Sequence, residues 1–194
     1  MVIGVDIDGV LCNLNNYTWR HFKSYLKENN ISFKFNKSKE KFHKQFNVSS
    51  VVEDDFWEKY SLHYAKVVKM NNHANYYIQK LHNDGHRIVI ITSRYFSYLD
   101  NEKGAKMREA VKKWLSKNKI YYDTIYFTYN KIEVIKEEKV EVMIEDDANN
   151  IENFSKVVPV IIYKTPANKK CKGKNKILAN GWKDIYKTIN KMQA

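Results

Sequence analysis

Residues 5 to 13 read VDIDGVLCN and place two carboxylates, Asp6 and Asp8, one residue apart at the end of an apolar run. Like charges this close repel and cost stability. A chain that accepts the cost either leaves both side chains solvated at a turn or holds something cationic. Three other stretches carry polar groups right after short apolar runs or at the start of a helical one: Thr92-Ser93-Arg94, the loop around Asn130-Lys131, and Glu145-Asp146-Asp147. Asp6, Glu145 and Asp146 are hard oxygen donors, suited to Mg²⁺ held with waters and a substrate phosphate. Thr92 and Ser93 can donate hydroxyl and backbone hydrogen bonds to phosphate oxygens, and Lys131 brings a positive charge to the same group. Phosphoryl transfer asks mainly for positioning and neutralisation, and a carboxylate can itself be the nucleophile. The set points to phosphate-ester chemistry if the fold brings the four stretches together.

The apolar pattern supplies such a fold. Short runs rich in Val and Ile predict strands at Val2–Ile7, Arg87–Thr92, Thr124–Phe127, Val140–Ile144 and Val158–Tyr163. Helical spacing falls between and after them: Tyr76, Ile78 and Leu81; Ala105, Ala110, Val111, Trp114 and Leu115; Ile132, Val134 and Ile135; and a closing helix with Trp182, Ile185, Tyr186 and Ile189. Alternation of this kind means an α/β fold with a parallel sheet flanked by helices. In a parallel sheet every strand ends on the same edge, where open α/β sheets bind ligands. The four polar stretches then converge. From Leu14 to Asn75 the alternation breaks. Leu14, Tyr17, Phe22, Tyr25 and Leu26 fit one helical face, and Val52, Phe56, Trp57, Tyr60, Tyr64, Val67 and Val68 another, with a polar, basic stretch from Asn36 to Lys44 between them. Residues 15–75 thus read as a small helical cap inserted after the first strand, with 1–14 and 76–194 as the core.

DIDGV after an apolar strand, ITSR, a later Lys and IEDD after another strand resemble, in order, the four motifs of the haloacid dehalogenase (HAD) superfamily of phosphatases. The resemblance spans the whole chain. Within the superfamily the sequence is similar to the small 5'(3')-deoxyribonucleotidases and their bacterial relatives, which also begin with DxDGVL and carry a helical cap after the first motif. The resemblance implies a Rossmann-like HAD core and a Mg²⁺-dependent hydrolase for small phosphate esters, nucleoside monophosphates first among them. It implies Asp6 as nucleophile and metal ligand. Asp8 becomes the acid and then the base, with its backbone carbonyl on the metal. Thr92 and Ser93 hold phosphate, Lys131 offsets charge, Asp146 binds the metal, and Glu145 binds it directly or through a neighbour. Lys131 fits better than Lys136 or Lys139 because it opens the helix leading to the acidic strand end. Asp147 reads as a helix cap or a third acidic ligand. Arg94 and the cap aromatics Phe46 and Trp57 are the candidate substrate contacts, with an exposed Arg and a packed aromatic core as the plain alternatives.

The remaining composition narrows the field. The 194 residues carry a net charge of +12, with 43% hydrophobic and 14% aromatic residues. The basic residues are spread along the chain, so nucleic acid is not expected as partner, although a basic surface attracts anionic substrates. The densest run, NKKCKGKNK at 168 to 176, reads as a solvated loop. Cys12 and Cys171 form no CxxC pair, and the six histidines show no metal-ligand spacing, which leaves them as surface or packing residues. Neither GxGxxG nor a P-loop is present. No apolar run reaches the roughly 20 residues of a membrane span, and Asp6 interrupts the first one too early for a secretory signal. A cytoplasmic protein without membrane association is the expectation, and a homodimer is compatible with it.

Overall fold

Six short runs rich in β-branched and other apolar residues stack side by side, the inner four burying both faces and the two edge runs only partly covered. They are β1 (Val2–Val5), β2 (Arg87–Thr92), β3 (Thr124–Phe127), β4 (Val142–Glu145), β5 (Val160–Tyr163) and β6 (Lys176–Ala179). In this computed structural model, which describes residues 1–193, all neighbours pair in parallel, in the order β3-β2-β1-β4-β5-β6. β1 lies at the centre, and the strand order reverses on either side of it. Val5 pairs with Ile90 on one side and Ile144 on the other. Asp6 therefore emerges level with Glu145, and its N–H still reaches the Ile144 carbonyl at 3.1 Å.

The helices are α1 (Leu14–Glu28), α2 (Phe42–Phe46), α3 (Ser50–Val67), α4 (Ala74–Asn83), α5 (Glu102–Lys117), α6 (Lys131–Glu137), α7 (Ala148–Phe154) and α8 (Trp182–Gln193). α4 to α8 cover the sheet. α1 to α3 form a layer between β1 and α4 whose apolar face continues the main core cluster, from Ile3 and Val5 to Phe22, Phe46 and Phe56. The chain enters and leaves this layer at one place. The Asn13 N–H donates to the Lys69 carbonyl at 2.8 Å, and the Asn71 N–H donates to the Leu11 carbonyl at 2.9 Å. No helix among the described residues is long and apolar enough to cross a membrane.

Several expectations are corrected. β1 stops at Val5, two residues short of the predicted end, because the chain leaves the ladder after the Asp6 N–H and the Ile7 carbonyl turns to the N–H groups of Leu11 and Cys12. β4 and β5 each begin two residues late, and β4 runs on to include Glu145. A short helix, α2, begins within the end of the polar, basic stretch and runs past it to Phe46. The run 168–176 is not simply a solvated loop. Asn168 is fully buried, its amide donating to the carbonyls of Asp146 at 2.7 Å and Tyr163 at 2.9 Å. Lys176 opens the edge strand β6, where only one partner strand rewards burial and the apolar signal is correspondingly weak.

Candidate active site

The turn after β1 builds the first part of the site. Ile7 points fully into the core, and its carbonyl accepts the N–H groups of Leu11 at 2.9 Å and Cys12 at 3.1 Å. Gly9 has a φ of +81°, and a Cβ there would lie 1.9 Å from an Asp146 carboxylate oxygen. Glycine meets both demands: it adopts positive φ without penalty, and it lets the acidic loop after β4 approach. The Asn71 amide closes the turn by donating to the carbonyls of Gly9, Val10 and Cys12 at 3.1, 2.8 and 3.2 Å.

Asp6 is buried, and its Oδ1 accepts from Lys131 Nζ at 2.6 Å. Lys131 is the first residue of α6 and also donates to Glu145 Oε2 at 3.1 Å. Glu145 Oε1 accepts the backbone N–H groups of Asp146 at 3.0 Å and Asp147 at 3.1 Å, and its Oε2 also accepts the Asn150 amide at 3.3 Å. The Asp146 carboxylate, in contrast, takes no hydrogen bond from the described residues. Burial lifts the Asp6 carboxyl to about 8 against the pull of Lys131, and Glu145 and Asp8 add to the rise. Burial also raises Asp146 far above the usual carboxylate range, reinforced by Glu145 and Asp6. Oxygens of Asp6, Glu145 and Asp146 lie within 4.8 Å of one another. Three carboxylates thus face one ammonium, a donor set short of positive charge and of the hard-oxygen type that suits a divalent cation.

Asp8 has different company. Arg94 Nε lies 3.1 and 3.2 Å from its two carboxylate oxygens, and the second guanidinium nitrogen, Nη2, lies 2.6 Å from Oδ1. The Tyr64 hydroxyl, from α3, donates to the same oxygen, and the Cys12 thiol approaches it at 3.7 Å. Burial would raise the Asp8 carboxyl, but the charge and hydrogen bonds of Arg94, with that of Tyr64, outweigh it and hold it below its ordinary value. Cys12 is fully buried, and burial, reinforced by the Asp8 charge, pushes its thiol up to about 12 against the pull of Arg94, so it is not a thiolate nucleophile.

Asp6, Asp8, Ser93, Arg94, Lys131, Glu145 and Asp146 all line one cavity of about 480 Å³ between the sheet edge and α1 to α3. Its size falls in the range of small-molecule sites. Thr92 is fully buried, its hydroxyl accepting the Arg94 N–H at 3.1 Å, and Ser93 forms the wall beside it. Neither caps a helix, since Asn101 caps α5, and Asp147 caps α7. Arg94 is neither solvated nor turned to open space: its partner is Asp8. Phe46 has no exposed surface and packs edge-on against Phe22, which corrects its expected place as a substrate contact. Trp57 does line the cavity, and Tyr95 faces it with ring centroids 6.3 Å apart. Sequence reading missed Tyr64, Asn71 and His43, whose ring lies 2.8 Å from Glu53 on the cavity wall. Tyr64 sat within an aromatic stripe, and nothing in the pattern separated a site residue from a core one.

A parallel sheet that brings an acidic pair at its central strand end, a lysine and a second acidic pair to one edge, under inserted helices, defines a HAD-type fold. The likeness to solved structures agrees. A haloacid dehalogenase-like hydrolase, SP0104 from Streptococcus pneumoniae, superposes with a TM-score of 0.67 at 11% identity, covering 97% of each chain. The D,D-heptose 1,7-bisphosphate phosphatase of B. bronchiseptica, solved with magnesium and phosphate, gives 0.56 at 8% identity, covering 98% of each chain. Residues 1–194 match the family model of the 5' nucleotidase, deoxy (pyrimidine), cytosolic type C proteins, and the chain belongs to that family. A curated relative from Bacillus subtilis (strain 168), named "Putative nucleotidase YqfW", is 22% identical over 196 residues, covering 97% of this chain and 93% of its own.

Proposed function

We propose that this protein is a phosphomonoester hydrolase that takes (deoxy)nucleoside monophosphates, works through an aspartyl-phosphate and uses Mg²⁺. The observation that carries the reading is the meeting of Asp6, Lys131, Glu145 and Asp146 with Asp8 in a cavity that Trp57 also lines. Mg²⁺ held by Asp6, Asp146 and the Asp8 carbonyl, with Glu145 beside it, would supply neutralising charge for the phosphoryl group. An Asp6 carboxylate oxygen attacks phosphorus as the bond to the ester oxygen breaks. Asp8 gives that oxygen a proton, and the nucleoside leaves. Water then attacks phosphorus, Asp8 takes the proton, and the acyl-phosphate bond opens to free inorganic phosphate and restore Asp6. Asp8 is ionised before substrate arrives; the negative charge of the arriving phosphate raises its proton affinity, so it takes from the substrate monoanion the proton that it passes to the ester oxygen, and the proton it later takes from water leaves with the inorganic phosphate. Lys131 keeps Asp6 oriented and offsets charge on the phosphoryl group, while Ser93, on the cavity wall beside the fully buried Thr92, steadies its oxygens. Trp57 and Tyr95 offer flat apolar surface to a base. The net charge of +12 favours the approach of an anionic ester.

A panel of nucleoside monophosphates and sugar phosphates, assayed for phosphate release with Mg²⁺ and with EDTA, tests the reading. Mg²⁺-dependent release that is fastest from nucleoside monophosphates is expected. Preference for sugar phosphates would overturn the substrate, and release that survives both EDTA and Asp6→Asn would overturn the mechanism.

A further inference from the structure

Asp8 sits on the turn after β1, yet none of the donors that fix its carboxylate belongs to a neighbouring residue of that turn except the weak Cys12 thiol. Arg94 comes from the loop after β2 and presents two nitrogens to it. Tyr64 comes from α3 in the inserted layer. These groups also hold one another. The Tyr64 hydroxyl lies 3.1 Å from Cys12 Sγ, which lies 3.3 Å from Arg94 Nη2, and the guanidinium sits over the Tyr64 ring 4.8 Å from its centroid. The remaining guanidinium nitrogen, Nη1, is buried without a hydrogen-bond partner among the described residues. A buried guanidinium with an orphaned nitrogen is costly. Its placement is explained by what its other two nitrogens do, which is to fix one carboxylate from two directions.

We infer that Arg94 and Tyr64 are positioning residues that aim the Asp8 carboxylate, and that Tyr64 makes seating of α3 on the core a condition for that aim. The inference rests on the hydrolase reading above. The Arg94 fork sets the plane of the carboxylate, since two N–H groups in fixed geometry meet both oxygens. The Tyr64 hydroxyl sets its rotation and is present only when α3 lies where it does now. If α3 lifts, Asp8 keeps its counter-charge but loses this donor. Proton transfer to the leaving oxygen and from the attacking water then both lose alignment, while attack by Asp6 does not.

Tyr64→Phe removes the hydroxyl and keeps the ring that packs against Tyr17 at 4.9 Å and Trp57 at 5.4 Å. With a deoxynucleoside 5'-monophosphate, the variant should lose about tenfold or more in kcat with KM within about twofold, the pattern of a misaligned catalytic group. With p-nitrophenyl phosphate, whose leaving group departs without a proton, rapid mixing should show the first equivalent of p-nitrophenol released nearly as fast as by the unaltered protein, followed by slow turnover. Arg94→Lys, which keeps the charge and loses the fork, should behave alike. Unchanged nucleotide turnover in Tyr64→Phe, or equal losses in the first equivalent and in turnover, would overturn the positioning role. Absence of turnover by the unaltered protein would overturn the hydrolase reading itself, and this inference with it.

Discussion

Asp6 and Asp8 are separated by one residue, yet they belong to two differently built halves of the site. Asp6 stands among groups that come from strand ends and the loops that follow them, Lys131, Glu145 and Asp146. Burial there outweighs the one ammonium and raises its proton affinity. Asp8 is held ionised by Arg94, from the loop after β2, and by Tyr64, from the inserted helices. Ile7, fully buried between them, keeps the halves apart. The same residue type at nearly the same point of the chain thus acquires opposite electrostatic character from its partners alone. The raised affinity falls on Asp6, the proposed nucleophile, and a divalent cation among Asp6, Glu145 and Asp146 would lower it and favour the ionised carboxylate.

The difference can be attacked from either side. Asp6→Asn should abolish steady-state phosphate release, a loss of at least about a thousandfold as expected for a covalent nucleophile, whereas Asp8→Asn should leave slow formation of the aryl-phosphate-derived intermediate. Equal residual activity in the two would erase the distinction. Mg²⁺ should stabilise the Asp6 half selectively: at a concentration of about a hundred times its dissociation constant the gain is about 2.7 kcal/mol. That gain is readable as a higher thermal midpoint, reversed by EDTA and absent from Asp146→Asn. In the Asp8 half, Arg94→Gln leaves a carboxylate without its counter-charge and should cost about 1–3 kcal/mol in urea unfolding, and added Mg²⁺ should not restore it. Phe46→Leu should lower stability by about 1 kcal/mol with KM unchanged, because the ring lies in the core of the helical layer and away from the cavity. A raised KM would return Phe46 to the substrate.

A last test lies outside both halves. His86, at the opposite end of β2, is buried with no hydrogen bond to either ring nitrogen among the described residues. Burial, with the nearby chain terminus, depresses its proton affinity. The unfolded chain therefore binds the proton more readily, and stability should fall as pH drops below the ordinary histidine value of about 6.5. His86→Leu should flatten that acid limb. If the limb persists unchanged, carboxylates that the fold holds ionised, Asp8 among them, account for it.

The legible parts of this molecule are those tied to strand ends. Asp6, Asp8, Lys131 and Asp146 each follow or precede a strongly patterned run, and parallel topology alone brings such positions to one edge. What the pattern could not carry was direction and depth. Arg94 was visible beside Thr92, but its partner lies 86 residues away in sequence. Tyr64 shares its helical spacing with ordinary core aromatics. Asn71 and Asn168 are polar residues in loops, and nothing local distinguishes a solvated amide from one that ties three carbonyls. β6 was hidden for a related reason, since an edge strand needs apolar residues on fewer sides than a central one.

The paired crossings at Leu11–Asn13 and Lys69–Asn71 make the inserted helices a detour rather than a branch: the chain returns to within one hydrogen bond of where it departed. Closing such a detour costs an entropy that rises only with the logarithm of its length. Its contents can therefore grow, shrink or be exchanged while β1 keeps its register with β2 and β4. The carboxylates at the sheet edge are anchored on the near side of the crossing and would survive the exchange in place. Tyr64 lies on the far side, so a transplanted cap would have to bring its own hydroxyl to Asp8, and this one atom is the dowel by which an otherwise interchangeable part is keyed to its socket.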